Sequence, residues 1–212
     1  MDGKSMLFDP FIRGNSLASG VKISDVDCDV LLISHAHSDH VADALEIIEQ
    51  CEPKVYAIWE ICQWLGKHGA ENCHPMNIGG SVNHEGIGIQ LVKAEHSSSF
   101  EDGTYGGLAG GYILNIGDKT LYYAGDTALF SDMGLYKNRK SIDVAFLPIG
   151  GNFTMDIKDA LACALLLDVK TVFGMHYDTF GYIVIDKDAA VELFAQNGIE
   201  LILMEIGSNK KI

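Results

Sequence analysis

The sequence predicts an α/β fold in which sheet layers are covered by helices. Three observations predict it. Apolar strand-like runs and amphipathic helical stripes both occur through the whole length. The central part is strand after strand, with a tight hairpin. Several strands end on a histidine or an aspartate. The 212 residues read as a single domain over 1–212, with no linker-like composition shift or low-complexity segment.

Met6-Leu7-Phe8 reads as a short strand ending at Asp9-Pro10, and residues 13–29, rich in Gly, Ser and Asp, read as loop. Residues 30–34 form a buried strand. Val41, Ala44, Leu45 and Ile48 then share one helical stripe, with Asp43, Glu46 and Glu49 outside. Val55-Tyr56-Ala57 is a further strand, and Ile58, Ile61, Cys62 and Leu65 make a second stripe ending near Gly66 and Gly69. Residues 70–87 read as loop with small strands, 88–94 as strand, and 97–108 as a long Gly/Ser-rich loop of the lid or binding kind. Gly117-Asp118 joins strands 111–116 and 119–124, with glycine where a type II′ turn wants it. A strand over 143–149 precedes a helix carrying Ile157, Ala160, Leu161, Ala164 and Leu165, with Asp156 in its first turn. A strand over 171–175, a helix capped by Asp186 and ending at Asn197-Gly198, and a strand over 200–206 complete the chain.

The densest chemistry lies in Ser34-His35-Ala36-His37-Ser38-Asp39-His40, at the junction of a strand and a helix. In extended backbone, residues two apart point the same way, so His35 and His37 can grip one ion. Asp39 and His40 lie where the chain turns into the helix and can face a second. Imidazole and carboxylate suit zinc or manganese, and also iron or nickel. Other strands also hand a ligand type to their ends: His96 after 88–95, Asp126 after 120–125, and His176 after 171–175. Taken singly, Asp126 in Gly-Asp-Thr is an ordinary turn residue and either histidine an ordinary core one. Together they complete two coordination spheres.

Composition narrows the partners. Lys+Arg 15 against Asp+Glu 29 gives a net charge of -14, which repels phosphate backbones and makes nucleic acid a poor partner. The five cysteines form no C-x-x-C pair and read as reduced thiols of a cytoplasmic protein. No signal peptide and no membrane-spanning apolar run is visible.

The order His35-x-His37-x-Asp39-His40, His96, Asp126, His176 resembles the metallo-β-lactamase superfamily. More narrowly, it is similar to small metal-dependent hydrolases near the ascorbate-phosphate lactonase branch. Asp9-Pro10-Phe11, Ala94-Glu95-His96-Ser97-Ser98, Tyr123-Ala124-Gly125-Asp126-Thr127, the stretch Leu147 to Met155, and Met175-His176-Tyr177-Asp178-Thr179-Phe180 carry the likeness over nearly the whole chain. The resemblance implies an αββα four-layer sandwich with two metal ions at one edge. It assigns His35, His37 and His96 to one ion, Asp39, His40 and His176 to the other, and Asp126 to the bridge. Family members usually begin with a further strand carrying a Gly-His pair. This chain starts after it, so the expectation is a sandwich lacking that first strand, with an open sheet edge and a possible homo-oligomer. Position 37 is His where the iron-dependent oxidoreductase branch has Glu, which argues against di-iron redox chemistry.

The function expected is hydrolysis of a small ester, lactone or phosphoester. Five neutral imidazoles and two carboxylates carry -2 against +4 for two divalent ions. That surplus lowers the pKa of a bridging water toward about 7. Asp39, His37 and Asp126 are the catalytic candidates. Asn152, Thr154 and Tyr177 are the substrate-contact candidates, ahead of Phe11, Phe100, Tyr105, Phe153 and Thr179, whose aromatic members more simply pack the site wall. Two alternatives compete: a nuclease of the same superfamily, which salt-sensitive RNA binding would reveal, and a non-catalytic metal-binding or sensing protein, which metal loading without turnover would reveal.

Overall fold

The computed structural model describes residues 3–211. The chain divides into two compact units, the first comprising Met1–Ser81, Leu91–Lys93 and Ser97–Gly110, the second Val82–Gln90, Ala94–His96 and Gly111–Ile212.

In the first unit, β1 (Met6–Phe8), β2 (Val30–Leu32), β3 (Lys54–Ile58) and β4 (Cys73–Met76) lie in sequence order. All three pairings are parallel. The wholly apolar runs of β2 and β3 suit strands buried on both faces. Among the described residues β1 is outermost and pairs with β2 alone. Between β2 and β3 the expected single helix is two: α1 (Ser38–Val41) and α2 (Ala44–Cys51). Asp43 breaks it. The stripe placed Asp43 outside, yet it is 3% exposed, because its carboxylate accepts the backbone N–H groups of Ile12 and Arg13. α3 (Trp59–Lys67) connects β3 to β4 and buries Ile61, Cys62 and Leu65 as its stripe requires.

The second sheet contains β5 (Ser81–His84), β6 (Ile87–Lys93), β7 (Gly110–Ile116), β8 (Lys119–Tyr123), β9 (Val144–Pro148), β10 (Thr171–Met175) and β11 (Glu200–Ile202). Its order among the described residues is β11-β10-β9-β8-β7-β6-β5. The β7/β8 hairpin turns at Gly117, whose φ of 59° puts a positive φ at the first central turn position. From β8 to β11 the pairings are parallel. α4 (Ile157–Leu167) and α5 (Lys187–Gln196) make the crossovers from β9 to β10 and from β10 to β11. Asp156 and Asp186 cap them, each accepting backbone N–H groups of the first turn. On α4 the buried arc is Ala160, Leu161, Cys163, Ala164 and Leu167. Leu165, one step further round, is exposed, contrary to the stripe expected for it. A 3-10 segment over Ser131–Asn138 has no apolar period to announce it and buries Met133. β11 stops at Ile202, short of the expected 206.

All five cysteines are free. Four of them form two contacts in the first unit: Cys28 with Cys51, and Cys62 with Cys73. Burial and then Cys51 push the Cys28 thiol from 9.0 up to about 12, and burial does the same for Cys163. A hydrogen bond with Cys73, then burial, raises Cys62; the same bond lowers Cys73 against the opposing effect of burial. A thiol whose pKa rises on folding stabilises the fold fully below its unfolded value, and that contribution is lost as pH climbs through the folded value. Denaturation midpoints in urea should therefore fall progressively between pH 9.0 and about 12, and the fall should shrink in a Cys163→Ser variant. Alkylation with iodoacetamide near neutral pH should label Cys73 first and leave Cys28 and Cys163 protected until unfolding, as peptide mass mapping would show.

Candidate metal centre

Each expected ligand lies just past the end of a strand, where open α/β sheets expose side chains and backbone for ligand binding. His35, His37, Asp39 and His40 follow β2, His96 follows β6, Asp126 follows β8 and His176 follows β10.

In the first unit the arrangement rests on Asp9. Its side chain is buried, and it accepts three hydrogen bonds: from the Ser34 N–H at 2.7 Å, the Ser34 hydroxyl at 2.6 Å and His40 Nδ1 at 2.9 Å. A carboxylate only accepts, so His40 carries its proton on Nδ1 and leaves Nε2 without one. Ser34 Oγ spends its hydrogen on Asp9 and accepts from His35 Nδ1 at 3.0 Å, so His35 too presents a bare Nε2. That Nε2 stands 3.0 Å from His37 Nδ1, while Ser97 Oγ holds His37 Nε2 at 3.2 Å. The neighbouring Ser98 hydroxyl accepts the Ala36 N–H. His40 Nε2 lies 3.6 Å from Asp39 Oδ2. Asp9, His35 and His40 also offer ligand-type atoms within 4.8 Å of one another.

In the second unit the centre is Asp126, 3% exposed. Its Oδ2 lies 3.0 Å from His176 Nε2 and 3.7 Å from His96 Nε2. His176 takes a left-handed φ of 55°, uncommon for a non-glycine residue and a sign of backbone held in place by its surroundings. Gly150 makes room for that turn: a Cβ there would sit 2.3 Å from the His176 carbonyl oxygen. The following loop is clamped by Asp178, which accepts from Ile185 N–H and pairs with Lys187 at 2.8 Å. Burial raises the Asp178 carboxyl, but these hydrogen bonds outweigh it and hold the group below the ordinary carboxylate range.

Two donors on one tetrahedral zinc, at 2.0–2.1 Å each, stand about 3.3 Å apart. The separations within each unit, from 3.0 to 3.7 Å, straddle that value, so the donor sets fit metal ligation. The substrate-contact candidates lie in the loops that follow β9 and β10. Asn152 is an exposed turn residue with φ 56°, the Thr154 hydroxyl bonds the Met155 carbonyl, and the Tyr177 ring lies 5.5 Å from Lys187 Nζ. Burial raises the Tyr177 phenol above its ordinary value, with Lys187 opposing. The bracing roles of Asp9, Ser34, Ser97 and Ser98 were not read from the sequence, although all four lie in stretches that carried the resemblance or adjoin it.

A family model described as a beta-lactamase superfamily domain matches residues 5–177. A UPF0173 metal-dependent hydrolase of Flavobacterium johnsoniae is 42% identical over 207 residues, covering 98% of this chain and 92% of the relative. Another, from Methylacidiphilum infernorum, is 44% identical over 201 residues, covering 95% and 89%. Among solved structures, Igni18, a metallo hydrolase of Ignicoccus hospitalis, superposes with a TM-score of 0.88 at 35% identity, covering 98% of this chain and 90% of that one. The chain belongs to the metallo-β-lactamase superfamily and, within it, to the UPF0173 metal-dependent hydrolases. Two sheets with helices, matching such a neighbour, bear out the expected fold class.

Asp9→Asn keeps an acceptor for the Ser34 N–H and tolerates the positive φ of 42°, but it removes one carboxylate oxygen from His40 and Ser34. Loss of such an outer partner lowers metal affinity by about 10–100-fold. Competition with a calibrated chelator should show that drop with an unchanged far-UV spectrum. Unaltered affinity would mean that Asp9 does not set the two imidazoles.

Proposed function

We propose that the protein is a hydrolase with a binuclear metal site, acting on a small ester, lactone or phosphoester. The observation that carries it is Asp126: one carboxylate oxygen reaches both His96 and His176, the histidines that belong to different ions in the superfamily's arrangement. By the superfamily's arrangement, His35, His37 and His96 would hold one ion, Asp39, His40 and His176 the other, and Asp126 would serve both.

Two divalent ions held there, zinc or manganese by the donor chemistry, would supply Lewis acidity and lower the pKa of a bound water. The chain's own groups set the geometry. Asp9 and Ser34 fix the tautomers of His40 and His35, so both donate from Nε2. Asp126 brings His96 and His176 to a common oxygen. Asp39, whose carboxylate lies 3.6 Å from His40 Nε2, would be the group to orient a bound water and take up its proton. Five free thiols agree with a reducing, cytoplasmic setting, and no helix among the described residues is long and apolar enough to cross a membrane.

Elemental mass spectrometry on protein purified without added metal should find about two ions per chain. His37→Ala and Asp126→Ala should each lose metal and abolish hydrolysis while keeping the native circular dichroism spectrum. Turnover that survives both substitutions would refute the site assignment; full metal loading with no turnover on esters, lactones and phosphodiesters would leave a metal-binding protein without catalysis.

A further inference from the structure

Two thiols of the first unit meet on elements that carry none of the metal ligands. Cys73 opens β4, the outermost strand opposite β1 among the described residues, and is half-buried. Cys62 lies on α3, the helix that leads into that strand, and is buried. The two side chains meet in a hydrogen bond. Each sulfur also has a backbone carbonyl in reach, Ala57 at 3.6 Å from Cys62 and Ala70 at 3.8 Å from Cys73. His74, the next residue of β4, points to the other face of the sheet, where its ring lies 5.3 Å from that of Tyr56.

The surroundings of Cys73 favour its thiolate. Cys73 pairs with Val55 of β3, so Lys54 lies one step back along that strand. Lys54 Nζ donates to the side chain of Asn72, the residue before Cys73, at 3.0 Å. The bond from Cys62 comes first and the Lys54 ammonium second, and together they outweigh burial and lower the Cys73 thiol. The other cysteines lack this setting. Cys28 and Cys51 also meet, but Cys28 is buried between Asp27 and Asp29 and pushed up to about 12. Cys163 is buried against the Met133 sulfur at 3.4 Å. A reachable thiolate beside a second thiol is the arrangement of redox-reactive cysteines. In a reducing compartment, disulfides of this kind are transient and signal oxidation.

We propose that Cys73 and Cys62 form a hydroperoxide-reactive dithiol site, separate from the metal centre, that closes to an intrachain disulfide. The Cys73 thiolate attacks one oxygen of hydrogen peroxide. The S–O bond forms, the O–O bond breaks, and the departing hydroxide takes a proton and leaves as water. Cys73 is then a neutral sulfenic acid, so the bond that chiefly raised the Cys62 thiol no longer holds it protonated. Cys62 gives up its proton and its sulfur attacks that of Cys73. The S–S bond forms, the S–O bond breaks, and a second hydroxide leaves as water. Two thiols and one peroxide become one disulfide and two waters: each sulfur loses one electron and the peroxide gains both. The product ties α3 to the outermost strand β4.

The test treats the whole protein, as purified, with stoichiometric hydrogen peroxide near neutral pH. The reaction is stopped with catalase and N-ethylmaleimide, and the peptides are mapped by mass spectrometry. A linked pair joining Cys62 to Cys73, lighter by two hydrogens and separated again by dithiothreitol, is expected, with Cys28, Cys51 and Cys163 still alkylated. In Cys62→Ala the disulfide cannot close, and dimedone should capture the sulfenic acid on Cys73. Lys54→Gln leaves both sulfurs and the apolar core in place and should slow disulfide formation by at least about threefold. A disulfide between other cysteines, Cys73 carried to sulfinic acid with Cys62 left free, or an undiminished rate in Lys54→Gln overturns the site.

Discussion

One buried carboxylate sets the directions of the first unit's ligands. Asp9 is acceptor to a backbone amide, a hydroxyl and an imidazole at once, and through Ser34 it reaches a second imidazole. Hydrogen bonds to a charged group contribute about 1.5–3 kcal/mol each, against the cost of taking the carboxylate out of water. What this network specifies is more valuable than its net energy. It fixes which ring nitrogen of His35 and His40 is protonated, and so which lone pair is offered. Asp9 manages this from a left-handed backbone position that few side chains tolerate, directly before a proline that rules out continuation as a regular ladder.

The second unit solves the same problem through backbone shape. His176 leaves β10 in a left-handed turn, and Gly150, just past the neighbouring β9, lets the carbonyl of that turn approach. Any Cβ at 150 would push on the backbone that aims the imidazole. The loop beyond is tied down by the Asp178 and Lys187 pair. In one unit the ligands are aimed by a polar network, in the other by close packing of main chain.

Most of this was legible in order along the chain, because each ligand follows an apolar strand and strand endings are marked by composition. The cluster at 35–40 needed no tertiary information, since alternation in extended backbone already pairs His35 with His37. What was hidden shares a cause: a polar residue whose partner is distant in sequence. Asp43 looked like an outward helix residue because nothing local shows that Ile12 and Arg13 bring unsatisfied amides to it. Asp9 looked like a strand stop because Ser34 and His40 lie 25 and 31 residues away. Leu165 and the 131–138 segment failed for the complementary reason: periodicity gives the existence of a buried face, not its exact centre, and says nothing of a 3-10 run without apolar repeat.

β1 carries a consequence for how long such a centre retains its ions. It is three residues long, outermost among the described strands of its sheet, and joined through a single neighbour. Asp9 is the next residue. Short peripheral strands open more readily than interior ones, by sub-global fluctuations far cheaper than complete unfolding. Each such opening would carry Asp9 away from His40 and Ser34 and let two imidazoles rotate. The residence time of a bound ion would then follow the opening rate of this strand, which amide exchange at residues 6–8 reports, rather than the strength of the ligand bonds alone, and warming would shorten it well below the melting temperature.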